Sequence, residues 1–548
     1  MTLRRLSFMA LACSALAGLP GAARAQATPP SLTGSPYRPG VNVLDYDVHL
    51  ELPDSGLFLR GDVTVTARRA ASLATLRLDL IDSMTVRSVE VDGRRVTATH
   101  SANVLDVPLA GAKGDTVRVR VVYDGPVHDG LVVRKDAKGR WTWFGDNWPD
   151  RTRQWLPTVD HPSDKATVSW TVRAPAGRTV VANGVLLGTK ALGAGRTETR
   201  WRESKPIPPS LMVIAAGPLV RVDIEYPDCH KGDRGQCVPQ MVYVLPENES
   251  AMPGAFQAAG PIVNLFEDLV GPFPYEKLAH LQSNTRFGGM ENASAIFYDG
   301  RRFPSQIKDD IVAHETAHQW FGDAVTEREW AHLWLSEGFA DYFAALWALH
   351  AHGDTAFRRE MAGMRTKILA DKDVASRPVI DTAQTNYLSL LNANSYDKGA
   401  WVLYMLNREI GDSAFFRGLR SYYAKYRDST ALSDDLRREL EQTSGRSLQK
   451  FFDQWLRRPG FAEPAIGWAF DASTGGVSLF VQQESARGPY AFPLTVVVTD
   501  ADNVAHRVSV DVPAEARATL PIAGHFDRKP KSLSFDPDSL LLARIARL

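Results

Sequence analysis

The residues best placed to do chemistry are His314-Glu315-Thr316-Ala317-His318. On a helix, positions i and i+4 share one face, so both imidazoles can reach one ion. Zinc accepts neutral imidazole nitrogen and keeps an open position in catalytic sites. Ile311, Val312, Ala313, Trp320 and Phe321 flank the motif, which predicts a buried helix. Burying two histidines and a glutamate without partners is costly, so the apolar flanks favour a metal over two incidental surface histidines. After His318, eighteen residues intervene before Glu337, which sits in Trp334-Leu335-Ser336-Glu337-Gly338-Phe339-Ala340. The run continues apolar through Tyr342, Phe343, Leu346 and Trp347, a second buried helix carrying an acid. Packing the two helices antiparallel would bring Glu337 to the histidine pair as third ligand. A fourth position is then left for water, whose pKa zinc lowers towards neutrality, with Glu315 placed to take its proton.

Two further segments stand in register with this centre. Gly288-Gly289-Met290-Glu291-Asn292 lies upstream and Tyr396-Asp397-Lys398-Gly399-Ala400 downstream. Taken alone, the glycine pair reads as a turn and Tyr396 as a core tyrosine. Together with His314-Glu-x-x-His318 and Glu337, in this order and spacing, they resemble the zinc aminopeptidases related to aminopeptidase N, across residues 280 to 400. The resemblance implies one Zn2+ held by His314, His318 and Glu337, with Glu315 and Tyr396 catalytic. It implies that Gly288, Gly289, Met290, Glu291 and Asn292 bind substrate, Glu291 taking the free α-amine of a peptide. A partly buried cation wants a carboxylate, and that contact fixes the distance from chain terminus to metal. The glycines would allow close approach to an extended substrate. Tyr396 would donate its hydroxyl to the developing oxyanion.

The sequence departs from the family at one binding position. Relatives carry Gln or Glu five residues before the arginine that matches Arg153, and here that residue is Trp148. Either the adjacent Asp146 or Asn147 takes over the amine anchor, or the first subsite is built differently. Ser336 and Asp323 replace family asparagines and could keep contacts to the ligands. His332, five residues before Glu337, stands between a supporting role at the metal and none. Two other functions share part of the pattern. A thermolysin-like endopeptidase has the same metal ligands but no reason to carry Gly-Gly-Met-Glu-Asn. A catalytically silent peptide-binding homologue would be expected to lose Glu315 or Tyr396, and both are present.

The elements that must hold these residues change character along the chain. From 36 to 225 the pattern is β: Tyr46, Val48, Leu50 and Leu52 alternate with polar residues, as do Val63, Val65 and Ala67, and Val117, Val119 and Val121. Asp92-Gly93 marks a hairpin. From 226 to 460 the sequence predicts a thermolysin-like, mainly helical catalytic domain, with one helix ending at Ile410-Gly411 and another opening at Ser433-Asp434-Asp435. From 461 to 548 alternation returns at Val477, Leu479 and Val481 and at Leu494, Val496 and Val498, predicting a small β-sandwich-like domain. The fold class expected is multidomain α+β.

Composition narrows the setting. The chain has 548 residues, 44% hydrophobic and 23% charged, with 63 basic and 63 acidic side chains, so disorder is excluded and no basic field points to nucleic acid. Arg4 and Arg5, the apolar stretch Leu6 to Leu19 and the Ala23-Arg24-Ala25 site read as a secretory signal peptide over 1–25, which predicts a periplasmic or secreted protein. Cys229 and Cys237 in a loop of an exported chain read as one disulfide. No later segment is apolar enough to span a bilayer.

Overall fold

The computed structural model describes residues 37–548 apart from 111–114, 227, 231–235, 304, 306 and 485–486. The predicted signal peptide lies outside the described residues. The first part of the chain builds an eight-stranded sheet around Val41–Glu51, which pairs in parallel with Ala166–Pro175 and antiparallel with Phe58–Arg69. The alternation read from sequence is the burial pattern: Tyr46, Val48, Leu50 and Leu52 point into the core, as do Val117, Val119 and Val121 from Thr116–Pro126. Asp92 and Gly93 both adopt positive φ between the paired strands Thr85–Val91 and Arg94–Val96, so the hairpin forms where the dipeptide marked it.

The first boundary falls earlier than the sequence placed it. Val220–Ile224 pairs with Gln240–Val244 and so belongs to the sheet of the catalytic part. That sheet has five strands, continuing through Leu278–Ser283 and Ala295–Asp299 to the short edge strand Gly289–Met290. The helical reading of 226–460 missed these strands for a physical reason. Gln240–Val244, Leu278–Ser283 and Ala295–Asp299 are buried at every position, so they show no period of two.

Helices follow: α1 (Ala259–Leu269), α2 (Asp309–His318), α3 (Trp334–His352), α4 (Asp354–Ala370), α5 (Gly399–Ile410), α6 (Asp412–Tyr426), α7 (Ser433–Ser444) and α8 (Gln449–Leu456). Gly411, at φ 82°, ends α5, and α7 opens at Ser433 with Asp434 and Asp435 in its first turn, as read from sequence. After α8 come two small sheets, one of four strands around Gly476–Gln482 and one of three around Phe492–Thr499. Cys229 and Cys237 form the expected disulfide, their Cα atoms 5.5 Å apart. No helix among the described residues is long and apolar enough to cross a membrane.

Candidate metal centre and peptide site

Helix α2 carries Asp309 and Asp310 in its first turn, where they favour the helix dipole. Its inner face presents His314 and His318, whose Nε2 atoms lie 3.2 Å apart. Glu337, in the first turn of α3, brings Oε2 to 3.5 Å from His314 Nε2 and 3.3 Å from His318 Nε2. A tetrahedral zinc ion with bonds of roughly 2.0–2.1 Å needs ligand atoms about 3.3–3.4 Å apart. The three separations match that edge. Glu337 Oε2 is also buried without a hydrogen-bond donor. Donor types, spacing and this orphaned oxygen all fit one zinc ion.

The other side of each ligand is held. His314 Nδ1–H donates to Asp341 Oδ1 at 2.9 Å, and His318 Nδ1–H to Ser336 Oγ at 2.9 Å. These bonds leave each Nε2 lone pair free for the ion and orient the ring. Ser336 therefore keeps the supporting contact expected of it, whereas Asp323 does not reach a ligand: both its carboxylate oxygens are buried without a donor. Asp341 was missed by the sequence reading. Its signal was its place one helical turn after Glu337, on the same face of α3.

Glu315 is 5% exposed, and burial pushes its carboxyl up to about 7 against the pull of the two histidines. That value suits a group that must take and return a proton near neutral pH. Gly289 explains how it fits: a Cβ there would collide with the Glu315 carboxylate. The absent side chain at Gly289 thus makes room for Glu315, a tighter demand than the substrate approach inferred from sequence. Gly288 accepts a backbone bond from the Asp299 N–H at 3.1 Å, which ties the motif to the sheet. Glu291 places a carboxylate oxygen within 4.8 Å of both Glu315 and His318. Gln319, also missed, fixes this segment from α2: its Nε2 donates to the Glu291 carbonyl at 2.9 Å and its Oε1 accepts from Ser294 N–H at 2.8 Å. Met290 and Asn292 are buried, at 3% and 0% exposure.

Tyr396 stands on a π-helical turn, Asn394–Lys398, just before α5. Its hydroxyl donates to Glu337 Oε1 at 2.8 Å, and its ring stacks parallel to His314 with centroids 6.1 Å apart. Two glycines bring it there. A Cβ on Gly338 would lie 2.8 Å from the Gly399 backbone, and one on Gly399 would lie 3.0 Å from Gly338 Cα. Helices α3 and α5 thus meet backbone to backbone. A cavity of about 1230 Å³ opens on His314, Glu315, Asp341 and Tyr396.

Three residues considered from sequence stand elsewhere. Asp146 is wholly buried and paired with Arg151, at 3.0 Å, and Arg286, at 3.1 Å. Asn147 donates to the carbonyls of Pro209 and Met212 and accepts from the Trp155 indole N–H, so its amide is fully used. Neither is free to hold an amine; adjacency in sequence to Trp148 did not translate into a shared orientation. His332 touches no ligand. Its Nδ1 lies 2.7 Å from Ser433 Oγ, which ties the approach to α3 to the start of α7.

Comparison with known proteins agrees with this geometry. Residues 255–455 match the Peptidase family M1 domain and residues 43–211 the Peptidase M1 N-terminal domain. Human glutamyl aminopeptidase is 28% identical over 366 residues, covering 64% of this chain and 36% of that protein. Aminopeptidase N of Streptomyces lividans is 29% identical over 436 residues, covering 72% and 48%. This chain therefore spans between about a third and a half of the length of these curated relatives. The M1 zinc metallopeptidase of Deinococcus radiodurans superposes with a TM-score of 0.66 at 28% identity, covering 76% of this chain and 93% of that one. Legionella pneumophila aminopeptidase A shares the fold, with a TM-score of 0.79 at 18% identity, covering 92% and 59%. Fold and donor set define a metallopeptidase catalytic domain carried behind a β domain. The chain belongs to peptidase family M1.

Proposed function

We propose that this chain is an exported zinc aminopeptidase that removes the N-terminal residue from peptides. The observation that carries the reading is the Glu291 carboxylate, within 4.8 Å of Glu315 and His318 beside the metal ligands. An endopeptidase gains nothing from a buried acid there, because an internal peptide nitrogen carries no charge. An aminopeptidase needs it to hold the α-ammonium, which sets the first peptide bond against the centre.

His314, His318 and Glu337 would hold the zinc, which when bound supplies Lewis acidity to polarise a carbonyl and acidify water. Glu315 accepts the proton of the attacking water on its carboxylate and returns it to the leaving amine. The Tyr396 hydroxyl, now donating to Glu337, turns to donate to the oxyanion as it develops. Asp341 and Ser336 keep the two imidazoles in the tautomer that binds metal.

Support from similarity points the same way. A variant of the Deinococcus radiodurans M1 zinc metallopeptidase has been solved bound to a Tyr-Ser-Ala substrate, and a variant of a two-domain M1 zinc metallopeptidase bound to L-tryptophan. The test is a panel of aminoacyl-nitroanilides with free and acetylated amines, assayed before and after chelation and after zinc is restored. Turnover of free-amine substrates alone, lost on chelation and recovered with zinc, is expected. Equal turnover of blocked peptides would replace the reading with an endopeptidase. Export rests on the sequence of residues 1–25 and is tested separately: the protein recovered outside the cytoplasm should begin at Gln26.

A further inference from the structure

Glu291 is followed at once by a tight turn. The Ala295 N–H donates to the Asn292 carbonyl at 2.8 Å and closes it. The third residue of this turn, Ser294, has φ 61°, a left-handed conformation that glycine or asparagine usually supplies. Ser294 is also wholly buried. A glycine would make the turn without strain and would bury no hydroxyl. A serine here needs a compensating use for its side chain.

That use is a junction between parts of the molecule. Ser294 Oγ accepts from the Gly184 N–H at 2.8 Å, and its hydroxyl donates to Glu203 Oε2 at 3.1 Å. Both partners belong to the β domain. They reach the hydroxyl together because Gly184, at φ 76°, lies against the Arg202–Glu203 backbone, where a Cβ would collide. From the catalytic sheet, Lys277 Nζ and the Ala279 N–H donate to the Ser294 carbonyl, at 2.7 and 3.0 Å, and the same Nζ lies 3.4 Å from Ser294 Oγ. From the end of α2, Gln319 Oε1 accepts the Ser294 N–H while its Nε2 donates to the Glu291 carbonyl. One side-chain amide, next in sequence to the ligand His318, thus ties Ser294 to Glu291. The contacts to Gly184 and Glu203 are the ones that need the hydroxyl.

A buried carboxylate and a buried backbone N–H are both costly without partners. Glu203 is 0% exposed, and one hydroxyl serves it and Gly184 alike. Deleting that hydroxyl removes two of the bonds that hold the turn to the β domain. We propose that Ser294 is a positioning residue for Glu291. Its hydroxyl locks the turn against the β domain, and the locked turn fixes where the Glu291 carboxylate meets the substrate's α-ammonium. A misplacement of about 1 Å is enough to lose much of such a contact. Selectivity for free N-termini is then set partly from outside the catalytic domain, through Gly184 and Glu203. The inference rests on the aminopeptidase reading above and deepens it.

Two variants separate the hydroxyl from the backbone. Ser294→Ala and Ser294→Gly both delete the hydroxyl, but only glycine also relieves the left-handed conformation. The zinc-loaded wild type and both variants are assayed on free and acetylated aminoacyl-nitroanilides, with zinc content and Tm measured alongside. A weakened contact to the amine, lost from ground and transition states alike, raises KM and leaves kcat near its value. The expected rise in KM for free-amine substrates is roughly tenfold in both variants. Tm should be higher for Ser294→Gly than for Ser294→Ala, so that stability follows the backbone while KM follows the hydroxyl. Calorimetric binding of an α-amino hydroxamate should weaken in both variants, and that of its des-amino counterpart should not. Should Ser294→Ala fold poorly, Ser294→Gly carries the test by itself. Wild-type KM in Ser294→Gly, or equal weakening of both hydroxamates, would overturn the proposal. A wild-type protein indifferent to acetylation would instead overturn the aminopeptidase reading itself.

Discussion

Three carboxylates, Glu291, Glu315 and Glu337, meet around one small volume, and their surroundings divide the work. Glu337 faces two imidazoles and is held well below the usual carboxylate range, at about 2, by those histidines against the cost of its burial. Glu315 is pushed the other way, to about 7, and Glu291 is also raised by burial. A ligand that stays ionised beside a base poised near neutrality is the separation that acid–base chemistry requires. Replacing Glu315 with Gln should lower kcat by about 10²- to 10⁴-fold while the zinc content of the purified protein is unchanged. Asp341→Asn acts on a different quantity. It weakens the bond that orients His314, so metal affinity should fall by about 10- to 100-fold in a chelator competition. Activity at saturating zinc should fall much less. His314, His318 and Glu337 were legible in the sequence because helical spacing and apolar flanks leave few other uses for them. Asp341 was not, since an acid in mid-helix ordinarily reads as solvated. Asp146 failed as an anchor because Arg151 and Arg286, close in space, reach it first.

Among the elements, the α3–α5 contact is the one that places Tyr396 beside Glu337. Gly338 follows a metal ligand, and Gly399 comes three residues after Tyr396. Their mutual approach sets the tyrosine against Glu337. Gly338→Ala places a methyl group into the backbone of Gly399. A cost of about 1–3 kcal/mol is expected from forcing packed elements apart, read as a lower Tm. A fall in kcat should accompany it, because Tyr396 moves with α5. His332 works at the same scale, joining the start of α3 to α7. Burial holds its pKa down at about 4, below an ordinary value of about 6.5. Between those values the unfolded chain binds a proton that the folded one does not, so this contribution is complete above pH 6.5 and is lost as pH falls towards 4. The stability advantage of wild type over His332→Gln should therefore shrink by up to about 1.4 kcal/mol per pH unit on acidification. Matched thermal melts between pH 7.5 and 5 measure it; a constant gap would assign the His332 contact no proton linkage.

For the molecule as a whole, the β domain does more than precede the catalytic part. Lys165 reaches across to three carbonyls around the α2–α3 connection. Asn183 donates to the Ala293 carbonyl at 2.7 Å, directly behind the Glu291 segment, and the Gly184 N–H donates to Ser294 Oγ at 2.8 Å. The α2–α3 connection and the Glu291 segment are thus both braced from the other domain. Removing Lys165, as in Lys165→Met, takes one donor from each of the carbonyls it reaches, although those of Asp323 and Ala324 still accept from Thr326 Oγ1 and the Asp428 N–H. It should cost about 1–3 kcal/mol, visible as a lower Tm.

The sequence by itself determined the chemistry and the order of domains. A metal pair at helical spacing, a third ligand on an apolar helix and alternating β segments are local patterns, set by 3.6- and 2-residue periods that survive in one dimension. The tertiary structure decided what periodicity cannot carry. It placed fully buried strands in the catalytic part, moved the first boundary ahead of Val220, and assigned Gly289 to the clearance of Glu315. It also decided which acids are free. Asp146 is wholly buried, and Arg151 and Arg286, brought to it by the fold, neutralise it. Whether a carboxylate is neutralised or left to bind a ligand depends on neighbours distant in the chain, and that is a property of the fold.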